Sequence, residues 1–450
     1  MGCVSADAGY QDVRNLTAAR IGKDVRWFEH DSSATRNQRT RELLKQPLDA
    51  GAAVELALLN NEGLQAAFEE LGGSRARLVQ ALRLPNPTVD AALRFHTAGG
   101  TRPAIDIQAL LDVTDLIFLP LKAGAASAGL EAAKLSVVGR VLDLALDTRV
   151  AFYQYQAAAQ LLELSHTVLG ALRASFETAQ RLHEAGNITD LNLANEQTLY
   201  EEARVDDAHA ETLLAARREA LNALLGLWGQ GVKWTAQERL ADAPSLDPKL
   251  QQLEPRAIDQ SLDLALIRRR FEAAAKTANL TRARGWVPEL RAGVAAEREH
   301  DDNLGWTVGP AVALEVPLFY QGQGEAGVAL AEARREQKRY ADTAVRIRSS
   351  ARALGSRLAA AAKSAAYYRD VLLPLRQQVL DQTQLEYNAM GASVFQLLQA
   401  RRDQIQAGRR YVDLLTEYWV LQAQVDQLLA GRLPAPRGEL GMMEGMSASE

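Results

Sequence analysis

One cysteine, Cys3, serves a chain of 450 residues, so no disulfide can close within a single molecule. No uninterrupted run of 18 or more apolar residues occurs, which argues against a membrane-spanning helix. A membrane strand is a separate matter, because its alternating pattern is far weaker. Neither sign of charge dominates: the net charge is −5 with acids and bases intermixed, and nothing points to a nucleic-acid partner. Catalytic signatures are missing too. The six histidines (His30, His96, His166, His183, His209 and His300) show neither HExxH nor Cys/His metal spacing. No Gly-rich phosphate loop follows a strand, and no nucleophile elbow is found. Neither an enzyme nor a cofactor or metal site is therefore expected. Proline is absent between Pro120 and Pro244, which frees a very long stretch to be helical.

What the chain does have is a unit used twice. Each copy opens with a helix and continues through a strand pair, a Pro-Leu step and a long helical stretch with one glycine near its middle. In the first copy the helix runs from about Gly51 to Leu84, and Pro85 and Pro87 end it. Val89, Ala91, Leu93 and Phe95 then alternate with Asp90, Ala92, Arg94 and His96. Past Ala98-Gly99-Gly100, a second strand is expected from Ile105 to Leu119, before Pro120-Leu121. In the second copy Leu290, Ala292, Val294 and Ala296 alternate with Glu289, Arg291, Gly293 and Glu297. The chain turns at His300-Asp301-Asp302-Asn303, returns through Trp306 to Val316, and meets Pro317-Leu318. Aligning Leu264-Ala265-Leu266 with Leu56-Ala57-Leu58 makes the second leading helix shorter by one heptad.

The long stretches carry apolar residues at alternating spacings of four and three. From Val137 to Ala179 only Thr148 and Ser165 break the seam, and from Tyr340 to Leu372 nothing does. Such seams specify left-handed coiled coils, and their many alanines permit close approach. Gly186 and Gly391 mark the reversals, and Asp190–Leu227 and Phe395–Leu429 return antiparallel. Pro374 should kink the second long helix. The expected organisation is a polar tether at 1–50, repeat 1 at 51–227 (strand pair 88–119, tip 186–190) and a connecting segment at 228–262. Repeat 2 follows at 263–433 (strand pair 289–317, tip 391–396), then a disordered tail at 434–450.

Four alternating strands are too few to close a barrel. An open sheet edge is forbidden in a bilayer, so a membrane reading requires several chains to pool their strands. Apolar residues would face lipid, and the Asp, Arg, Glu, Gly and Ala face would line a wet lumen. The opposing reading is a soluble hairpin pair packed on helices.

The residues from Leu43 through Asp49 and Ala53 to Asn61 resemble the opening of the TolC-like outer-membrane factors. So do Val316-Pro317-Leu318-Phe319 and the tips Gly186-Asn187-Ile188-Thr189-Asp190-Leu191 and Gly391 through Ala400. The resemblance covers about 40–433. It implies a mainly α fold with a membrane β-barrel portion: long antiparallel coiled-coil hairpins in two tandem repeats, with four transmembrane strands per chain. It implies a homotrimer with a twelve-stranded barrel and a twelve-helix periplasmic tunnel, docked to a periplasmic adaptor and an inner-membrane pump. The implied function is a passive export duct in the outer membrane, reaching into the periplasm. A periplasmic adaptor or a coiled-coil scaffold is the alternative, although adaptors carry one hairpin rather than two. The cargo is not legible.

Gly2-Cys3 is how a bacterial lipoprotein cleavage site ends, but no apolar segment precedes it. Cys3 is either an acylated first residue, which the resemblance favours, or an incidental thiol. In this family the periplasmic tips close the tunnel, and acids near the second tip often form a selectivity ring. The matching positions here are Gln396 and Gln399, which implies a weaker ring. Asp190 matches the first tip and has two readings, a bond that holds the closed state or a helix N-cap. Arg401 near the tip is a candidate adaptor contact, with Gly186 and Gly391 at the turns. His96 and His300 belong to the strand loops. The clusters Arg268-Arg269-Arg270, Arg401-Arg402 and Arg409-Arg410 read as solvated helix faces. Trp228, Trp234 and Trp286 are expected to pack at a junction, with Trp306 in an interfacial belt.

Overall fold

A computed structural model of the chain describes residues 9–27, 33–95, 103–236, 239–244, 252–299, 305–316, 318–319 and 321–435. Cys3, His30, His96, His300, Pro317, the two strand-hairpin loops and all but the first residues of the expected tail lie outside the described residues. The helices are α1 (Tyr10–Ile21), α2 (Ser33–Leu43), α3 (Ala50–Asn60), α4 (Glu62–Ala81), α5 (Val113–Glu184), α6 (Asp190–Leu225), α7 (Leu253–Asp259), α8 (Leu262–Arg284), α9 (Gln323–Tyr367), α10 (Leu373–Asn388) and α11 (Val394–Leu429). The strands are β1 (Thr88–Arg94), β2 (Ala104–Asp112), β3 (Glu289–Arg298) and β4 (Thr307–Glu315). The chain forms two compact units, one of residues 1–13, 67–137 and 263–344, the other of 14–66, 138–262 and 345–450.

The first unit holds one antiparallel sheet in the order β1-β2-β3-β4. β2 ends seven residues earlier than the alternation suggested, so the strand expected to reach Leu119 stops at Asp112. The cause is local: the Asp112 carboxylate accepts from the Asp115 backbone N–H at 3.0 Å and starts α5 at Val113. Pro120 consequently lies inside a helix rather than before one, still close to its start. Thr114 ties the helix to the sheet, donating to the Pro288 carbonyl (3.1 Å) and accepting from the Leu290 N–H (2.7 Å). Gly293 is required where it stands, because a Cβ there would collide with the Ala109 carbonyl across the β2–β3 ladder.

In the second unit the seams are real. Val141, Tyr155, Ala158, Leu172 and Ala179 of α5 are buried, as are Ile347, Ala351, Leu354, Leu358, Ala361 and Ala365 of α9. The two seam-breaking residues are buried as well, Thr148 with its hydroxyl donated to the Leu144 carbonyl (2.8 Å). By length and composition α5 would qualify as a membrane span, against the expectation drawn from uninterrupted runs. Only 22% of its most apolar stretch is buried within the chain, whereas the heptad-spaced residues from Val137 onward pack against other helices. At Pro374 the helix does not simply bend. Residues Tyr368–Leu372 form a π turn, in which the Leu373 N–H reaches the Tyr368 carbonyl, immediately before the proline.

The repeat alignment also needs correcting. Gly226 (φ 63°) follows α6 so closely packed on the Asn60 carbonyl that no side chain fits, and Gly431 (φ 98°) follows α11 in the same relation to the Gln260 carbonyl. Asn60 is thus the counterpart of Gln260, and the leading helices reach Pro87 and Pro288 almost in step. The one-heptad difference came from pairing Leu56 with Leu264, which are not equivalent.

The expected tether at 1–50 instead contains α1 and α2. In the second unit Arg14 pairs with Asp24 at 2.5 Å, and Arg20 donates to the Gln260 carbonyl at 2.7 Å and to the Ala430 carbonyl at 3.2 Å. Val25, Trp27 and Leu48 are buried, so a few apolar residues suffice to pin a polar segment. Of the tryptophans expected at a junction, Trp234 is buried and donates to Asn222 Oδ1 (2.7 Å), whereas Trp228 and Trp286 are exposed in the single chain. The three arginines Arg268 to Arg270 are exposed, as expected, and two of them pair with Glu272.

Candidate functional site

Register divides the sheet cleanly. Val89, Ala109, Val294 and Pro310 lie in one cross-strand row, and Ala91, Ile107, Ala296 and Val308 in another on the same face. The opposite face carries Ala92, Asp106, Glu297 and Thr307 in one row, and Asp90 with Gln108 in a second. Arg94 spans that polar face, donating to Asp106 (2.9 Å) and to Glu297 (3.0 Å). The usual rule for a soluble sheet is inverted. Val89, Leu93, Val294, Val308, Val312 and Leu314 are more than half exposed, an apolar surface with no cover among the described residues. β1 and β4 are both edges, so each leaves a row of backbone groups without a strand partner.

The hairpin tips lie in the second unit and share one construction. At the first, the Asn187 N–H reaches back to the Leu182 carbonyl and the Gly186 N–H to His183, with Gly186 at φ 74°. At the second, the Gly391 N–H reaches the Glu386 carbonyl and the Met390 N–H reaches Tyr387, with Met390 at φ 60°. Gly391, expected to be the turn glycine, is therefore one place late, and a methionine takes the left-handed position. Thr189 and Ser393 then cap the returning helices, accepting from the N–H groups of Asn192 and Gln396, both at 3.3 Å.

This register relocates the candidate gate residues. Asp190 is not the N-cap; Thr189 is. The Asp190 carboxylate is fully exposed but lies 2.6 Å from His183 Nε2 across the turn. Gln396 turns back into a capping box, its Oε1 accepting from the Ser393 N–H at 2.8 Å. Gln399 donates to Asp403 at 2.7 Å. Arg401 is half-buried between helices, donating to Gln384 (3.1 Å) and Ser175 (3.3 Å), so its guanidinium is engaged within the chain. Leu398 of α11 packs with Leu172, Leu199 and Ala203 of the first hairpin, and Phe176 stacks on Tyr200 at 5.7 Å. Sequence reasoning missed His183 and the Met390 turn. The Ser-x-x-Gln signature at Ser393 was legible.

An open two-faced sheet joined in sequence to two long helical hairpins has known counterparts. No protein-family model matches the chain. The cobalt-zinc-cadmium resistance protein CzcC of Cupriavidus metallidurans is 25% identical over 398 residues, 85% of this chain and 90% of the relative. The outer-membrane protein VceC of Vibrio cholerae superposes with a TM-score of 0.69 at 16% identity, covering 89% of this chain and 97% of VceC. The Campylobacter jejuni CmeC outer-membrane channel superposes with a TM-score of 0.72 at 14% identity, covering 96% and 95%. The chain has the fold of these outer-membrane channels. The matches run along nearly the whole length of the chain and of these relatives, so the likeness is not confined to one hairpin or one unit.

Proposed function

We propose that this chain is the outer-membrane channel of an export system, a passive duct fed by an inner-membrane pump through a periplasmic adaptor. The observation that carries this reading is the sheet, with its exposed apolar face, its charged face and two free edges. Its four strands alternate in direction, so β4 of one copy meets β1 of the next antiparallel, and three copies close a twelve-stranded barrel without a mismatched seam. Lipid covers the Val89–Val308 face, and the Arg94, Asp106 and Glu297 face lines water. The paired hairpins of three copies supply twelve helices for a periplasmic tunnel. A lone adaptor or scaffold has no use for a lipid-facing sheet.

The tips gate the duct, and the His183–Asp190 pair holds the first turn in its closed form. Gln396 and Gln399 present amides rather than a ring of like charge, and both are tied to neighbours of their own helix. The glycine-and-methionine turns and Arg401 belong to the end that meets the adaptor, and acylated Cys3 anchors the N-terminus. Cargo of the class in the name of the CzcC relative, divalent metal cations, is the reading we extend to this chain. The test is expression in cells lacking their own metal-efflux channel, followed by fractionation and growth in zinc and cobalt. Recovery in the outer membrane with restored tolerance is expected. Recovery as a soluble periplasmic monomer would overturn the channel reading, and outer-membrane recovery without tolerance would overturn the cargo.

A further inference from the structure

We propose that His166, Asp207 and Glu211 form a binding site for one divalent transition-metal ion on the first helical hairpin. Asp207 and Glu211 stand one turn apart on α6 and so share a face. His166 reaches them from α5, with Nε2 3.5 Å from Asp207 Oδ2 and 3.9 Å from Glu211 Oε1. The three donor atoms lie within 4.8 Å of one another. A tetrahedral ion with bonds of about 2.0–2.1 Å holds its ligands roughly 3.3 Å apart. The His–Asp edge already has nearly that spacing, and the exposed Glu211 side chain closes the remainder by a rotamer change.

Two further observations separate this cluster from an ordinary charged surface. Neighbouring acids on the same hairpin each have an arginine: Asp206 with Arg409 (2.8 Å), Glu202 with Arg402 (3.6 Å) and Glu163 with Arg239 (2.5 Å). Among the described residues, His166 is the only cationic group within ion-pair distance of Asp207 and Glu211. The Asp207 side chain is moreover only 13% exposed, and its second oxygen, Oδ1, is shut off from solvent with no hydrogen-bond partner. A largely buried carboxylate with no lysine or arginine partner is costly, and a cation bound at Oδ2 offsets the cost of its charge.

The donor set selects the ion. One imidazole and two carboxylates suit zinc or cobalt; calcium and magnesium prefer all-oxygen shells, and cuprous copper prefers sulfur. Three protein ligands leave a position for water, so the site exchanges its ion instead of sealing it in. This inference does not rest on the export reading.

The test uses the untagged full chain in detergent, stripped with chelator. It is titrated with zinc in a calorimeter, and cobalt binding is followed by its visible absorption. We expect one equivalent per chain, unaffected by excess magnesium. Affinity should fall by on the order of tenfold or more in His166→Ala and in Glu211→Gln. It should not change in His209→Ala, an exposed histidine of the same helix. His166 and Glu211 are both exposed, and matching thermal melts show that these variants remain folded. Absence of binding, or affinity indifferent to both ligand variants, would overturn the site. A chain that binds zinc in this pattern yet conducts no ions would refute only the channel.

Discussion

At the tip of the second hairpin, Met390 occupies a left-handed position that its counterpart Gly186 fills without cost. A side chain at φ 60° pays about 1–2 kcal/mol, partly offset by the lower chain entropy of a non-glycine residue. Met390→Gly should therefore stabilise the protein by about 0.5–1 kcal/mol, and Gly186→Ala should destabilise it by about 1 kcal/mol. Urea melts followed by helical circular dichroism measure both. In the proposed gate at the first tip, Asp190 and His183 form one pair, 2.6 Å apart. Asp190→Ala and His183→Ala should each raise single-channel conductance in planar bilayers, and the double variant should add little to either. Unchanged conductance would remove the gate from this pair. At the sheet, Gly293 has no room for a side chain. Gly293→Val should force β2 and β3 apart and abolish recovery of the assembled channel from membranes.

At the scale of elements, the connecting segment has more substance than its composition suggested. Trp234 is buried against Tyr155, Leu221 and Leu225, with its N–H on Asn222 and the Arg218 guanidinium 4.4 Å from the ring centroid. Farther along, Trp419 donates to the Ala241 carbonyl (2.8 Å) and Tyr411 to Asp242 (2.6 Å). Burial, with Asp242 beside it, pushes the Tyr411 hydroxyl well above the usual tyrosine range, so it remains a donor at any physiological pH. The segment is thus strapped to α6 and α11. Trp234→Ala should cost about 3–5 kcal/mol, read from the thermal melt. None of this was legible beforehand, because a Pro- and polar-rich stretch gives no period from which to infer its contacts. The heptad seams and the strand alternation were legible, since each is a direct imprint of a regular contact. The end of β2 was missed because Leu116, Ile117 and Leu119 continue an apolar pattern past the Asp112 cap. The Met390 turn was missed because the adjacent Gly391 offered the more obvious reversal. His183 was passed over because only the folded turn brings it beside Asp190.

Taken whole, the chain is incomplete alone. Among the described residues its sheet exposes an apolar face, both edge strands lack a neighbouring strand, and Trp286 and Phe319 are largely exposed. Burial of such a surface, at about 25 cal/mol per Å², favours any assembly that covers it. In the proposed channel, lipid and further copies of the chain would do so together, because only a closed barrel satisfies every backbone group in a bilayer. The fold relatives share little sequence with this chain yet cover nearly all of it. The mass of the intact particle, extracted from the outer membrane in mild detergent and weighed by native mass spectrometry, tests this most directly. Three chains per particle is the predicted result. A single chain, or a species found only in the soluble fraction, would contradict it.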